Sequence, residues 1–173
     1  MLYSTIASFA LFGATFAAPV TKRDLQTIQA SIQTVGTALT ALDGSVKAIQ
    51  VPGDAMKALG MSMMVNQALA DATTKIIATQ PITLTDALTL QQSAQTLTAT
   101  ASTAVTNLIA KKAIIQQAGA SAATLQSLMQ QKTAADALAK AVVAKVPANV
   151  QSIAQQQTAA IGTSLDKGIA AFK

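Results

Sequence analysis

Residues 24–50 read DLQTIQASIQTVGTALTALDGSVKAIQ, and this stretch decides the fold. Its larger apolar residues alternate at spacings of three and four: Leu25, Ile28, Ile32, Val35, Leu39, Leu42, Val46 and Ile49. Such spacing matches the a and d positions of a heptad and gathers these side chains on one side of an α-helix. A β-strand, with its period of two, does not produce it. The sequence therefore predicts an amphipathic helix about 40 Å long, which ends at Val51-Pro52-Gly53.

The rest of the chain carries similar patterns between Pro and Gly breaks. We predict further helices over Asp54 to about Thr79 with Asp54 as N-cap, Thr83–Gln117 with a Thr83 or Thr85 cap, Ser121–Lys145, and Ala148–Ala171. Because Thr is a poor helix former, the Thr-rich run in the third helix predicts a break or kink near residues 98–102. The predicted fold is all-α, a single bundle of about five long amphipathic helices.

The amino terminus has the pattern of a secretory signal peptide over residues 1–17. Its apolar stretch is too short to span a bilayer, and the small residues Thr15 and Ala17 fit a signal-peptidase site with cleavage after Ala17. We therefore expect a secreted, extracellular protein, and no transmembrane segment is predicted.

Lys22-Arg23 follows this leader and is typical of a processing site for a secretory-pathway endoprotease. Residues 18–23 are then a short pro-segment, and the helical-bundle domain spans residues 24–173. The alternative is that the Lys-Arg pair is an ordinary charged surface pair.

The composition of residues 24–173 excludes several classes of function. This stretch has no His, Cys, Trp, Glu or Arg, so a Ser-His-Asp triad, a zinc site and a disulfide are all excluded. Ten lysines and seven scattered aspartates leave a net charge of +3, too weak a field for nucleic-acid binding. We predict no catalytic residue, metal or cofactor, although a Ser–Lys dyad stays open.

The sparse charge and slim core instead favour binding of apolar material. Asp43 and Lys47 are the only charged residues between Leu25 and Gln50. A core of Ala, aliphatic side chains and adaptable Met can leave an apolar cavity, or open and lay its apolar sides on another phase. The candidate lining residues are Met56, Leu59, Met63, Met64, Leu69, Ile76, Leu97, Val105, Leu108, Leu125, Leu128 and Val142. Lys111 and Lys112 are candidates for contacting a carboxylate head group. In the alternative interpretation, the methionines only fill the core and the lysines are solvated.

Several short motifs resemble the fungal hydrophobic surface-binding protein A family, which includes the cell-wall galactomannoproteins. In chain order they are Lys22-Arg23-Asp24, the Ile28/Ile32/Val35/Leu39/Leu42 pattern, Leu84–Leu88, Leu108–Lys112, Gln131–Ala135, Ala144–Pro147 and Gly168–Phe172. The resemblance implies a secreted or wall-associated helical protein. It also implies binding of hydrophobic surfaces or of fatty acids between helices, and recruitment of a secreted cutinase or esterase by some members. Wall-anchored members carry a Ser/Thr-rich tail and an anchor signal that this sequence lacks, so we expect a freely secreted form.

Four hypotheses follow from these observations. The first is a non-enzymatic binder of fatty acids, other lipids or hydrophobic surfaces. The main alternative is a structural or antigenic cell-wall mannoprotein without specific lipid binding, whose glycans would be O-linked because no Asn-x-Ser/Thr site occurs. A lipase or esterase is disfavoured by the lack of His. Membrane attack is disfavoured because the polar helix faces carry Gln and Thr, not Lys.

Overall fold

The computed structural model describes residues 20–173, with side chains from Lys22 onward. The described chain is helical and contains no β-strand, so the all-α prediction is confirmed. Its elements are α1 (Val20–Lys47), α2 (Asp54–Ile77), α3 (Leu84–Ala110), α4 (Lys112–Gln117), α5 (Ser121–Val143), a 3₁₀ turn (Ala148–Val150) and α6 (Gln151–Phe172).

The five long helices form a closed ring. Around the ring the order is α1, α2, α5, α6 and α3, and α3 packs against α1 to close it. Each long helix therefore has two main neighbours. The short α4 joins the end of α3 to the start of α5 and contacts both. Helices that follow one another in sequence are not always neighbours, since α2 packs against α5 and α3 against α6.

The heptad pattern of α1 faces the inside of this ring. Ile28, Val35, Val46 and Ile49 are almost completely buried, while Leu39 is half-buried. The other helices contribute smaller residues at matching positions, and in α2 much of the buried side is Ala and Ser. Burial of this apolar surface stabilises the bundle at roughly 25 cal/mol per Å².

Local capping explains two of the helix boundaries. α3 begins with a capping box, in which the Thr83 hydroxyl accepts from the Asp86 backbone N–H and the Asp86 carboxylate accepts from the Thr83 N–H. The prediction of Asp54 as N-cap was wrong, because Asp54 is the first residue of α2. Its carboxylate instead accepts from the backbone N–H groups of Gln50 and Val51, at 3.1 and 3.2 Å.

The predicted break inside the third helix was also wrong in position. α3 runs unbroken through residues 98–102, where the hydroxyls of Thr98 and Thr100 donate to carbonyls four residues earlier. The break lies instead at Lys111, which separates α3 from α4. Gly119, at φ +68°, ends α4 as the sequence indicated.

The predicted signal peptide, residues 1–17 with Ala17, lies outside the described residues. Lys22 and Arg23 are exposed within the first turns of α1, which begins at Val20. Among residues 20–173, no helix is both long and apolar enough to cross a membrane.

Candidate functional site: a cavity inside the helical ring

The ring encloses an apolar cavity of about 100 Å³. Helices packed 8–10 Å apart in a five-membered ring place their axes about 8 Å from its centre, which leaves axial space unless large side chains fill it. Here they do not, because seven lining residues are alanines: Ala55, Ala58, Ala94, Ala101, Ala104, Ala135 and Ala139. The cavity is thus a consequence of small residues at inward positions of α2, α3 and α5.

All six helices contribute to the wall of this cavity. Its aliphatic lining includes Ile32 and Leu42 of α1, Ile115 of α4 and Ile161 of α6. In the described chain no charged side chain lines it. Since an apolar cavity without polar partners does not hold ordered water, most of its volume suits hydrocarbon.

The polar exception is a buried cluster between α2 and α5. The hydroxyls of Ser62 and Ser127 lie 2.6 Å apart, and the Gln131 Nε2 donates to Ser62 Oγ, also at 2.6 Å. Ser62 and Gln131 both line the cavity. The remaining polar lining residues are Thr98, Thr124, Gln157 and Thr158. The described wall therefore offers hydroxyl and amide groups but no charged side chain.

A smaller cavity of about 60 Å³ adjoins the first between α3, α5 and α6. Both cavities share lining residues, including Ala94, Val142 and Gln157. Leu88 and Ile153, two exposed apolar residues, border this smaller cavity. The two cavities and this apolar rim outline a candidate path from the ring interior toward the surface.

The wall beside this path is the least buried part of the ring. Every buried residue of α6 lies in its second half, from Leu165 to Phe172. In its first half, Gln157, Thr158 and Ile161 are only half-buried over the two cavities. Few buried contacts mean a low local cost of opening, so this half of α6 can yield to a ligand.

Seven of the candidate lining residues from the sequence do line the main cavity: Leu59, Leu69, Leu97, Val105, Leu108, Leu128 and Val142. Two others lie elsewhere. Ile76 is fully buried in the core outside the cavity lining. Leu125 is half-buried and lines a shallow surface depression beside α2 and α5.

Met56, Met63 and Met64 do not line the cavity. They are exposed on α2 at 66%, 70% and 56%, so their predicted place in the wall is corrected. The inward residues of α2 also recur at spacings of three and four, and several of them precede a predicted lining residue by one position. They include Ala55, Ala58, Ser62, Val65 and Leu69. Prediction from large apolar residues missed most of this frame because Ala55, Ala58 and Ser62 are small.

Lys111 and Lys112 also lie outside the cavity lining. The Lys111 ammonium donates to the Ile49 carbonyl at 2.8 Å and so ties the α3–α4 junction to the end of α1. Lys112 is half-buried on α4. Neither lysine lines the cavity, and contact of either with a head group stays a prediction.

The charged groups instead stabilise the outside of the ring. Asp43 accepts from the Lys47 ammonium at 2.7 Å and from the Asn107 amide at 2.6 Å. Burial opposes ionisation of Asp43, but these hydrogen bonds and the Lys47 charge outweigh it and lower the carboxyl pKa below 3.8. The hydrogen bond from Lys132 to Asp166, at 2.9 Å, raises the pKa of the lysine. No group of residues in the described chain is placed to hold a metal ion.

Sequence comparison finds curated relatives along the whole chain. It is 35% identical over 173 residues to cell wall mannoprotein 1 of Aspergillus flavus, covering 100% of this chain and 63% of that protein. It is 42% identical over 88 residues to cell wall mannoprotein 1 of Aspergillus fumigatus, covering 51% of this chain and 31% of that protein. The chain thus spans less than two thirds of these relatives.

The fold also matches solved structures. Ligand binding domain 1 of the Penicillium marneffei MP1 protein, complexed with arachidonic acids, superposes with a TM-score of 0.85 at 27% identity, covering 87% of this chain and 99% of that one. AFMP4P in complex with palmitic acid superposes with a TM-score of 0.81 over 86% and 99% of the two chains, and at 21% identity it shows the fold alone.

The family assignment rests on a match that covers most of the chain. The model of the hydrophobic surface binding protein A family matches residues 20–144, which include α1 to α5. The match agrees with the order of motifs in the sequence. This chain therefore belongs to the hydrophobic surface binding protein A family.

Proposed function

We propose that this protein binds the acyl chain of a fatty acid or related lipid inside its helical ring. The observation that carries the proposal is the ion-free cavity lined by all six helices. It is supported by the MP1 domain, a similar ring that was solved with arachidonic acids. An acyl chain in this space would bury its apolar surface at roughly 25 cal/mol per Å².

Entry of a long chain requires the ring to widen. The first half of α6 is the part that can do so at low cost, because it contributes no buried residue. The adjoining cavity under it, with Leu88 and Ile153 at the rim, supplies an apolar path. We place the entrance there, between the first halves of α3 and α6.

Native mass spectrometry of the protein expressed as residues 24–173 tests this proposal. Added palmitic or arachidonic acid is expected to give a discrete bound species. The thermal midpoint should rise with ligand concentration, since a ligand that binds only the folded state stabilises it. Absence of any bound lipid, with no shift in the thermal midpoint, would contradict the proposal.

A second function, adsorption to hydrophobic solids, is favoured by a separate observation. Met56 and Met63 of α2 and Met129 of α5 are exposed. Flexible thioether side chains of this kind adapt to irregular apolar surfaces. The closed bundle can therefore contact an apolar solid through α2 and α5 without unfolding.

Depletion from solution by octyl-coated beads tests this second function. The M56Q/M63Q/M129Q variant is expected to adsorb several-fold less than the unmodified protein while it retains lipid binding. Substitution of three exposed threonines, T34Q/T37Q/T106Q, is the matched control because these side chains lie on α1 and α3. Equal adsorption of both variants would assign adsorption to another surface or to an opened bundle.

We also propose that the protein is located outside the cell or in the cell wall. The relatives are named cell wall mannoproteins, which supports an extracellular or cell-wall location. We propose that the protein binds lipid without transforming it, since the described cavity wall carries no charged or imidazole group. Recruitment of a secreted cutinase or esterase stays a prediction from the family, and co-sedimentation of such an enzyme with protein-coated beads tests it.

A further inference from the structure

We propose that the cavity selects ligands with an uncharged head group that donates a hydrogen bond, namely the protonated form of a fatty acid or a fatty alcohol. The inference rests on the proposed function, because it concerns the same cavity. Its consequence is that fatty-acid binding depends on pH through the ligand and not through the protein.

The first support is the absence of a cation from the described cavity wall. An isolated carboxylate in an apolar environment costs far more free energy than its neutral form, so its pKa rises unless a positive charge or several donors compensate. Among the side chains from Lys22 to Lys173, no lysine lines the main cavity or the smaller one beside it.

The charged side chains of the surrounding helices are engaged or exposed elsewhere. Those bonded to other groups are Asp43, Lys47, Asp54, Asp86, Lys111, Lys132, Lys145 and Asp166. Those exposed on the surface include Lys57, Asp71, Lys75, Asp136, Lys140 and Lys167. Asp24 and Lys112 are half-buried and line neither cavity.

The second support is that the polar wall presents mostly acceptors. The hydroxyls of Thr98 and Thr158 already donate to the Ala94 and Ala154 carbonyls of their own helices, at 2.9 and 3.1 Å. Each hydroxyl is thereby left with lone pairs and no free proton. A head group that reaches these residues must supply the hydrogen itself.

Gln131 is relevant because it is 4% exposed and its hydrogen bonds in the described chain are made by its Nε2. Its Nε2 donates to the Ser62 Oγ at 2.6 Å and lies 3.5 Å from the Ser62 carbonyl, and its Oε1 is on the other side of the amide. Within the described chain its Oε1 accepts no hydrogen bond. A carboxylate would repel this oxygen, whereas a carboxylic acid or an alcohol would donate to it.

The free donors on the wall are few and neutral. They are the Thr124 hydroxyl near the start of α5, the Gln157 amide near the start of α6, and the one proton of the Ser62–Ser127 pair that their mutual hydrogen bond does not use. Since α5 and α6 run antiparallel, as the Lys132–Asp166 and Leu128–Gly168 pairings show, Thr124 and Gln157 lie toward opposite ends of the ring. One or two neutral hydroxyls do not replace the full hydration of a carboxylate.

The test compares lauric acid and lauryl alcohol by displacement of a neutral solvatochromic dye at about pH 5 and about pH 8. Because an alkyl carboxyl group has a pKa of about 4.3, the affinity for lauric acid should fall about tenfold for each pH unit above it. The affinity for lauryl alcohol should not change. Equal affinity for the acid at both pH values, or weaker binding of the alcohol than of the acid at the higher pH, would overturn the inference.

If neither lauric acid nor lauryl alcohol binds at about pH 5 or at about pH 8, the proposed function is contradicted, and the inference with it. This outcome differs from binding of the acid alone at both pH values, which overturns only the inference. The unmodified protein suffices for both readouts, so the result does not depend on whether a variant folds.

A variant locates the selecting group. The unmodified protein should bind lauryl alcohol about fivefold more tightly than methyl laurate, which lacks a donor, since one hydrogen bond is worth about 1 kcal/mol. Gln131→Met should abolish this preference. Gln126→Met, the same change at an exposed position of α5, should keep it. Retention of the preference by Gln131→Met would overturn the role assigned to Gln131.

Discussion

Gly168 is buried where α6 packs against α3 and α5. A Cβ atom added there would lie 3.0 Å from the Val105 Cγ1 and 3.3 Å from the Leu128 Cδ1. We expect Gly168→Val to lower the free energy of unfolding by about 1–3 kcal/mol, because overpacking forces these side chains off their positions. Urea unfolding measures the change.

The control for that substitution is Gly60→Ala on α2. Gly60 is exposed, and an added Cβ meets nothing within 4 Å. The alanine should raise the free energy of unfolding by about 0.5–1 kcal/mol, the usual gain for replacing Gly in a helix interior. A gain of stability at Gly168 would contradict the packing described for α6, and a loss at Gly60 would contradict the open surroundings described for that position.

The buried Ser62–Ser127 pair predicts strong coupling between its members. Ser62→Ala leaves both the Ser127 hydroxyl and the Gln131 Nε2 without their shared partner, and an unsatisfied buried polar group costs about 1–3 kcal/mol. We expect the Ser62→Ala/Ser127→Ala double variant to lose less stability than the two single variants together. Additive losses in a double-mutant cycle would show that the 2.6 Å contact contributes nothing.

Residue size limited what the sequence could reveal about the cavity. Large apolar residues on α3 and α5, such as Leu97 and Leu128, were placed correctly because they occupy the inward heptad positions. On α2 the large residues Met63 and Met64 face outward, and Ala58 and Ser62 occupy the inward frame. Small residues carry a weak hydropathy signal. Because small residues leave the space for this cavity, part of its lining could not be recognised from the sequence.

The sequence predicted that the long helices exist and approximately where each of them ends. It did not predict the break at Lys111. Thr83 and Gly119 mark helix boundaries through local hydrogen bonding and backbone conformation, which a sequence displays. Lys111 has no Pro or Gly beside it. Its backbone leaves the helix where its ammonium reaches the Ile49 carbonyl, a contact between segments far apart in sequence.

The contact between α1 and α3 through Asp43 predicts a pH dependence of stability. Because the folded-state pKa of Asp43 is lowered below 3.8, its contribution is present above that pH and is lost as the pH falls through the folded value. We expect Asp43→Asn to be less stable than the unmodified protein at neutral pH, and the difference to shrink in acid. Thermal unfolding followed by circular dichroism measures both.

Gln126→Asn, a neutral change at an exposed position of α5, is the control and should leave the pH profile unaltered. A constant difference between Asp43→Asn and the unmodified protein down to strongly acidic pH would contradict the role of the carboxylate. The Asn107 amide would then be satisfied equally well by a neutral partner.

For the whole molecule, the order of helices around the ring is what creates the cavity. Sequence periodicity gave five apolar stripes, but it could not specify that α2 packs on α5 and α3 on α6. Those long-range pairings close the ring. Closure directs the apolar sides of all five long helices toward one internal space. The same stripes arranged as a compact four-helix core with one peripheral helix would have no such cavity.

Filling that space by substitution tests whether the ring interior is the binding site. Ala101 is buried on α3 and lines the main cavity. Ala101→Leu adds apolar atoms where there is room, so the free energy of unfolding should stay the same or rise while lipid binding falls at least tenfold. Ala99→Leu, on the exposed side of the same helix, should bind lipid normally. Native mass spectrometry and thermal unfolding of both variants decide the matter, because undiminished lipid occupancy in a folded Ala101→Leu protein would place the ligand outside the ring.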